Sequence, residues 1–404
     1  FGCDPGPPPE AMLGKRDPAL RPDDESSARR YRALRAALAP SRGRVRLGDL
    51  EAALASTDGG VLSRGTLLAC VFEPQVLDFH LALGRDVDAE GGRLVWQDGH
   101  LPDLLSPAAR KRYTPPWPVE SAGEVTTRVK IESIAGIRVE EVRFPSPVRS
   151  GVPANDRVQA ELYTPRDPIG ALVQLPHWKE PRGVRGQRLL SVMLARAGFA
   201  VLLLPLPYQY ERAPEGRRSG ELTLSADLAR TREAALQGAA DAARASRWLE
   251  EARGFPPSRQ GLIGTSLGGH VASLAMGAYP GRFAAGAFLL AGSHVDGALF
   301  RRNGVTDGIL DRLEAKGVTP DEARPLVRII DPAHFARPEA RDRILLVNGD
   351  ADPVVPKSHA EALSRAWGGA RILWFSGGHY GVLRHLPEVL SAVEAHLRKA
   401  FQAP

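Results

Sequence analysis

The sequence predicts an α/β fold: a mostly parallel sheet with helices on both faces, a mainly helical N-terminal extension and a lid insertion. Three observations lead there. From residue 171 onward, short apolar runs alternate with amphipathic helical stretches. The run Phe199–Leu204 is continuously apolar, as expected of a strand buried on both faces. A Gly-x-Ser-x-Gly segment lies where one such run meets a helix.

Each element can be justified in chain order. Residues 1–22 read as a flexible leader, opened by the Pro/Gly-rich FGCDPGPPPE. Residues 23–120 form the extension. Its first helix, 23–39, starts on Asp23-Asp24-Glu25-Ser26 and carries Tyr31, Leu34, Ala37 and Leu38 at helical spacing. Leu47–Ala55 reads as a second short helix, and Thr66–Leu83 is apolar but is broken by Pro74 and stays unassigned. KRYTPPWP, residues 111–118, reads as the joint to the main domain, 121–404. There Arg128–Phe144 and Val158–Tyr163 alternate as strands do, and Ala171–Leu175 is a buried-strand run. Gln187–Ala197 is a helix stopped by Gly198, and Leu224–Ala252 a long amphipathic one. Gln260–Gly264 (strand), Gly268–Ala278 (helix), Phe283–Leu290, Ile344–Val347 and Arg371–Phe375 (strands) follow, with helices near 357–367 and 382–400. Residues 292–342 stand between two strands as the lid insertion.

Composition narrows the function. Of the 404 residues, 43% are hydrophobic and 25% charged, enough for a sizeable core. The net charge is 53 − 47 = +6, with no run of five like charges, so the clustered basic surface that nucleic-acid binding requires is missing. Phe199–Leu204 falls far short of the ~20 apolar residues of a membrane-spanning helix. Cys3 and Cys70 give neither a disulfide framework nor a cysteine metal site. Phe1-Gly2-Cys3, followed by Asp4, fits the tail of a bacterial lipoprotein signal with Cys3 lipidated. That reading would place the protein at the cell envelope or outside it, with membrane contact through the lipid alone. The other reading, an ordinary cysteine in a leader, favours the cytoplasm.

The chemistry centres on Gly264-Thr265-Ser266-Leu267-Gly268. The glycines permit a turn too sharp for bulkier side chains, which holds the Ser266 hydroxyl clear of the sheet beside a helix N-terminus. A serine nucleophile needs a base, and the base an orienting acid, here in the chain order Ser, Asp, His. Asp352 is the expected acid, in the loop Asn348-Gly349-Asp350-Ala351-Asp352-Pro353 after the strand Ile344–Val347, with Asp350 as fallback. His379, in Gly377-Gly378-His379-Tyr380-Gly381 after the last strand, is the expected base. An oxyanion hole needs two backbone amides. One is that of Leu267; the other should come from Pro176-His177-Trp178, with Trp178 preferred and His177 behind it. Tyr208, Tyr210 and Arg212, after another strand end, are candidate substrate contacts, Arg212 for an acidic substrate.

Residues from about 155 to 400 resemble the α/β-hydrolase superfamily, through the serine elbow, acid loop and histidine loop. Within it, Pro207-Tyr208-Gln209-Tyr210-Glu211-Arg212, the long helix and Gly264-Thr265-Ser266-Leu267-Gly268-Gly269-His270 are similar to the abhydrolase eighteen branch. That branch usually shows His-Gly in the oxyanion loop, where this chain has Pro176-His177, so the second donor stays open. The expected function is cleavage of a small-molecule carboxylic ester by a serine hydrolase, without metal or cofactor. A thioesterase, peptidase or acyltransferase would use the same residues. A binding protein that keeps only the fold would be expected to have lost one of the three. A nucleotide site is disfavoured, because GLIGTSLGG lacks both the Gly-Lys-Ser/Thr ending and the Gly-x-Gly-x-x-Gly spacing. Oligomeric state is not legible.

Overall fold

The computed structural model describes residues 119–179 and 185–402, except Glu120, Ala122 and Ala135, and three strands nearer the N-terminus. The chain divides into two compact units, Phe1–Pro102 and Asp103–Pro404, a boundary earlier than the proline-rich joint. In the first unit the described residues are β1 (Leu68–Glu73), β2 (Asp78–Leu83) and β3 (Val95–His100), paired antiparallel in that order. The expected mainly helical character is therefore corrected for this part of the extension. Short apolar runs do not reveal their period, and here their β-branched and aromatic residues prevailed. The helices expected at 23–39 and 47–55, and Cys3, lie outside the described residues.

The second unit is built on a nine-stranded sheet among the described residues. Its strands are β4 (Thr126–Ile134), β5 (Ile137–Pro145), β6 (Arg157–Thr164), β7 (Gly170–Leu175), β8 (Phe199–Leu203), β9 (Gln260–Thr265), β10 (Ala285–Leu289), β11 (Ile344–Gly349) and β12 (Arg371–Phe375). Their order is β12-β11-β10-β9-β7-β8-β6-β5-β4. Neighbours from β12 to β8 run parallel; β8–β6, β6–β5 and β5–β4 are antiparallel. The single stretch Arg128–Phe144 is in fact two strands. Gly136, at φ +77°, supplies the left-handed turn between them.

β7, β8, β10 and β11 are buried along their whole length. Their side chains alternate between two cores, as the pleat requires. Ala200 and Leu202 of β8, with Ile344 and Leu346 of β11, face one core. Phe199, Val201, Leu345 and Val347 face the other. Among the described residues, the α-helices of five residues or more are α1 (Arg185–Arg196), α2 (Leu228–Arg253), α3 (Leu267–Ala278), α4 (Val295–Leu299), α5 (Asp307–Glu314), α6 (Pro320–Arg328), α7 (Lys357–Ala366) and α8 (Leu386–Phe401). α2, α3 and α7 cover the first face, and α1 and α8 the second. α2 starts where the Asp227 side chain accepts from the Arg230 amide and ends at left-handed Gly254. No helix among the described residues is long and apolar enough to cross a membrane.

The strand order positions the site. The chain steps from β7 outward to β8, then returns across β7 to lay β9 on its other side. Loops leaving the carboxyl ends of β7 and β9 therefore diverge and open a crevice, the ligand position in open α/β sheets. α4, α5 and α6 belong to the insertion between β10 and β11, which gathers Leu299, Phe300, Ile309, Leu310, Leu313 and Val327 into a third apolar cluster with Leu228 of α2.

Candidate active site

Ser266 stands between β9 and α3 at φ +53°, ψ −119°, a conformation that side-chain-bearing residues avoid. Three glycines make it attainable. A methyl group on Gly264 would strike the Gly268 carbonyl, and one on Gly268 the carbonyl oxygens of Leu175 and Pro176. One on Gly269 would press on the Leu289 carbonyl and the Ala291 methyl. These are mostly backbone neighbours, which cannot swing aside. The Ser266 N–H is fastened to Leu289 O at 2.7 Å.

The Ser266 hydroxyl lies 2.9 Å from His379 Nε2, and His379 Nδ1 lies 2.7 Å from Asp352 Oδ2. The other Asp352 oxygen accepts from the amides of Val354 (2.8 Å) and Val355 (3.0 Å), which fixes the carboxylate plane. A carboxylate can only accept, so Nδ1 carries the imidazole proton and Nε2 turns its lone pair to the serine. Asp352 and His379 are 5% and 6% exposed, so water competes little for either bond. Asp350 is exposed and accepts from the Gly377 amide at 2.9 Å. It ties the acid loop to the histidine loop without reaching the ring.

Beside these groups lies a cavity of about 270 Å³. Leu267, His177 and Trp178 line it, as do Leu206, Leu290 and Val382 from the segments that follow β8, β10 and β12. The insertion contributes Val295, Leu299 and Val305. As first residue of α3, Leu267 has no helical carbonyl to receive its N–H.

A family model described as alpha/beta hydrolase domain containing 18 matches residues 141–299, and one described as TAP-like protein matches residues 327–401. Strand order and helix placement give the chain the α/β-hydrolase fold. No curated protein sequence matches it significantly. Among solved structures, the acetyl xylan esterase of Paenibacillus sp. R4 is similar at 17% identity and a TM-score of 0.51, over 69% of this chain and 89% of that one. Acetyl xylan esterase 1 of Thermoanaerobacterium sp. JW/SL YS485 gives 17%, 0.51, 69% and 88%. At such identity the likeness is one of fold.

The sequence expectation for Arg212 is corrected. Its guanidinium is wholly buried, donates to Asn155 O (3.0 and 2.8 Å) and Pro205 O (2.9 Å), and lies 2.8 Å from Asp241 Oδ2. Tyr208 is likewise interior, and Tyr210 packs with the core under α1 and α8. None of the three lines the cavity. The loop after β8 turns inward through two left-handed residues, Tyr208 (φ +62°) and Tyr210 (φ +51°), a path that sequence spacing does not reveal.

His270, one helical turn beyond Ser266, was not expected at the site. It lines the cavity, and its Nδ1 lies 3.0 Å from Ser266 O. Its place in the run Gly-Gly-His after the serine, where i and i+4 share a helix face, was the available signal. A trio of groups, His294, Asp296 and Asp331, brings possible ligand atoms within 4.8 Å of one another. Asp296 already faces Arg328 (3.1 Å) and Arg324 (3.6 Å). Asp331 accepts from Ser293 Oγ and the amides of Val295 and Ala333. These donors use the lone pairs that a cation would need.

Burial pushes the imidazoles of His270, His359 and His396 below their ordinary range. The unfolded chain takes up these protons near pH 6.5, whereas the folded chain resists them. Stability is therefore complete above that pH and is lost as the pH falls through it. The loss is largest for His270 and smaller for the other two, which water partly screens. Urea unfolding should show lower stability at pH 5.5 than at pH 7.5; equal stability would contradict this assignment.

Proposed function

We propose that the chain is a serine hydrolase that cleaves carboxylic esters with a sizeable apolar portion, through an acyl-enzyme intermediate. The hydrogen-bonded series from Ser266 through His379 to Asp352, at 2.9 and 2.7 Å, is the observation that carries the reading. As Ser266 Oγ bonds to the ester carbonyl carbon, its proton passes to His379 Nε2. The Asp352 carboxylate steadies the resulting imidazolium. The carbonyl electron pair moves onto oxygen, facing the amides of Leu267 and Trp178, with His177 the next donor in line. Collapse breaks the bond to the alcohol, which leaves with the proton from His379. Water then enters by the same route in reverse order: it loses a proton to His379, attacks the acyl carbon, and the serine recovers that proton as the acid departs.

Residues 121–404 are the proposed catalytic domain, with 292–342 as the roof of the site. The names of the two similar structures, both acetyl xylan esterases, agree with ester chemistry. The aliphatic lining argues for a larger apolar group than acetyl. Each buried methylene adds about 0.8 kcal/mol, or roughly fourfold in kcat/KM. Across 4-nitrophenyl acetate, butyrate, hexanoate and octanoate, kcat/KM should climb at about that rate until the cavity is filled. A preference for acetate would refute the apolar assignment, and failure to hydrolyse any member would refute the ester reading.

A further inference from the structure

The loop after β8 holds one residue in an unusual frame. Gln209 is extended (φ −106°, ψ 153°) between two aromatic residues in left-handed conformations, Tyr208 and Tyr210. Such conformations persist only where surrounding contacts over-determine them. Here they do. The Tyr208 amide donates to Asn155 Oδ1 (2.9 Å), its carbonyl accepts from the Gly220 amide (2.8 Å), and the Tyr210 amide donates to Ser219 Oγ (2.9 Å). Thr223 Oγ1 donates to Pro207 O (2.6 Å), and Arg212 holds Pro205 O.

The residue delivered by this scaffold is a wholly buried amide. Gln209 Nε2 donates to His177 O at 3.2 Å, while its Oε1 is buried with no hydrogen-bond partner. His177 O belongs to the peptide whose nitrogen is Trp178 N. In a trans peptide the carbonyl and the N–H point to opposite sides, so a group that fixes one fixes the other. The next residues are also fastened: the Trp178 indole donates to Gly220 O at 2.7 Å, and Lys179 Nζ sits 3.9 Å from the centre of its ring. The segment Pro176-His177-Trp178 contains no glycine, so the peptide's direction is set by what holds it.

We infer that Gln209 is a positioning residue that aims the Trp178 N–H at the developing oxyanion. The inference rests on the ester-hydrolase reading above. A glutamine suits the task because it donates to a carbonyl without bringing a charge into the interior. Two left-handed residues around it are needed because the loop must turn inward and out again within a single residue.

The test compares wild type, Gln209→Met and Gln209→Glu on the best ester of the series. It also measures inhibition by a trifluoromethyl ketone bearing the same acyl chain, which adds to Ser266 as a tetrahedral oxyanion. Gln209→Met keeps the side-chain length and loses the donor. It should lower kcat about 10- to 100-fold with KM within about threefold, and weaken the trifluoromethyl ketone by the same factor as kcat/KM. Gln209→Glu donates only while its carboxyl is protonated. Its kcat relative to wild type should therefore fall as the pH rises, a dependence that a packing role would not produce. That variant also carries the test if Gln209→Met does not fold. A folded Gln209→Met with kcat within about threefold of wild type would overturn the inference, as would a loss of kcat with unchanged inhibitor affinity. Inactive wild type without inhibitor binding would overturn the hydrolase reading and this inference with it.

Discussion

Ser266→Ala is expected to lower kcat roughly 10⁵- to 10⁶-fold, the scale on which a serine nucleophile acting as part of a unit is lost. In the proposed mechanism Ser266 and His379, 2.9 Å apart, share one proton transfer, so removing either disables the other. His379→Ala should cost about as much, and the double variant little more than either single one. Asp352→Ala should cost less, on the order of 10⁴-fold, because Nε2 still reaches the serine when the ring is less well oriented. A fluorophosphonate probe followed by peptide mass mapping reads the same assignment covalently. The adduct should sit on the peptide containing Ser266 and vanish in Ser266→Ala. An adduct on any other serine, with hydrolysis retained in Ser266→Ala, would refute it.

The second large effect concerns stability. Arg212 and Asp241 form an ion pair with neither side chain exposed, and the same guanidinium fastens two backbone carbonyls of the loop after β8 and its neighbour. Burial pushes the Asp241 carboxyl up; Arg212 and the Ser146 hydroxyl, 2.6 Å away, pull it back. Arg212→Met removes the ion-pair partner of that interior carboxyl and leaves it the Ser146 hydroxyl and the field of Arg244. A loss of about 3–5 kcal/mol is expected from urea unfolding, the usual consequence of removing one partner of a buried pair. Arg212→Met combined with Asp241→Leu should recover much of it, since apolar replacement of both partners is often neutral. A single variant within about 1 kcal/mol of wild type would mean that the pair contributes little. Because Arg212 anchors the frame around Gln209, the single variant should also be slower at saturating ester.

Legibility differed from place to place for physical reasons. Ser266, Asp352 and His379 stood out because each follows a strand and carries small neighbours, so local pattern and topology pointed to the same positions. Choosing Asp352 over Asp350 needed only the turn shape, and Asp350 is drawn instead to the Gly377 amide. Arg212 misled because a charged residue near a strand end ordinarily faces water, whereas here two left-handed turns carry it inside. Gly136 divides what alternation presented as one strand, since a hairpin with a very short turn barely interrupts the pattern. β1–β3 were missed because neighbouring prolines and glycines obscure six-residue runs. Gln209 could not be found from the sequence. Its partner is a backbone carbonyl, and backbone groups leave no mark in composition.

Most of the apolar side chains of α5 and α6 in the insertion form their own cluster, whereas Ile330, Phe335 and Ala336 after them join the first core. The floor of the site, in contrast, is backbone packed against backbone at Gly264, Gly268 and Gly269. Substitutions in the first can accumulate and be repacked locally; substitutions in the second have no neighbouring side chain to absorb them. Under the proposed function, chemistry and substrate range would thus be separately heritable. A descendant could acquire a new diet by rewriting α5 and α6 while the proposed reacting groups keep their places.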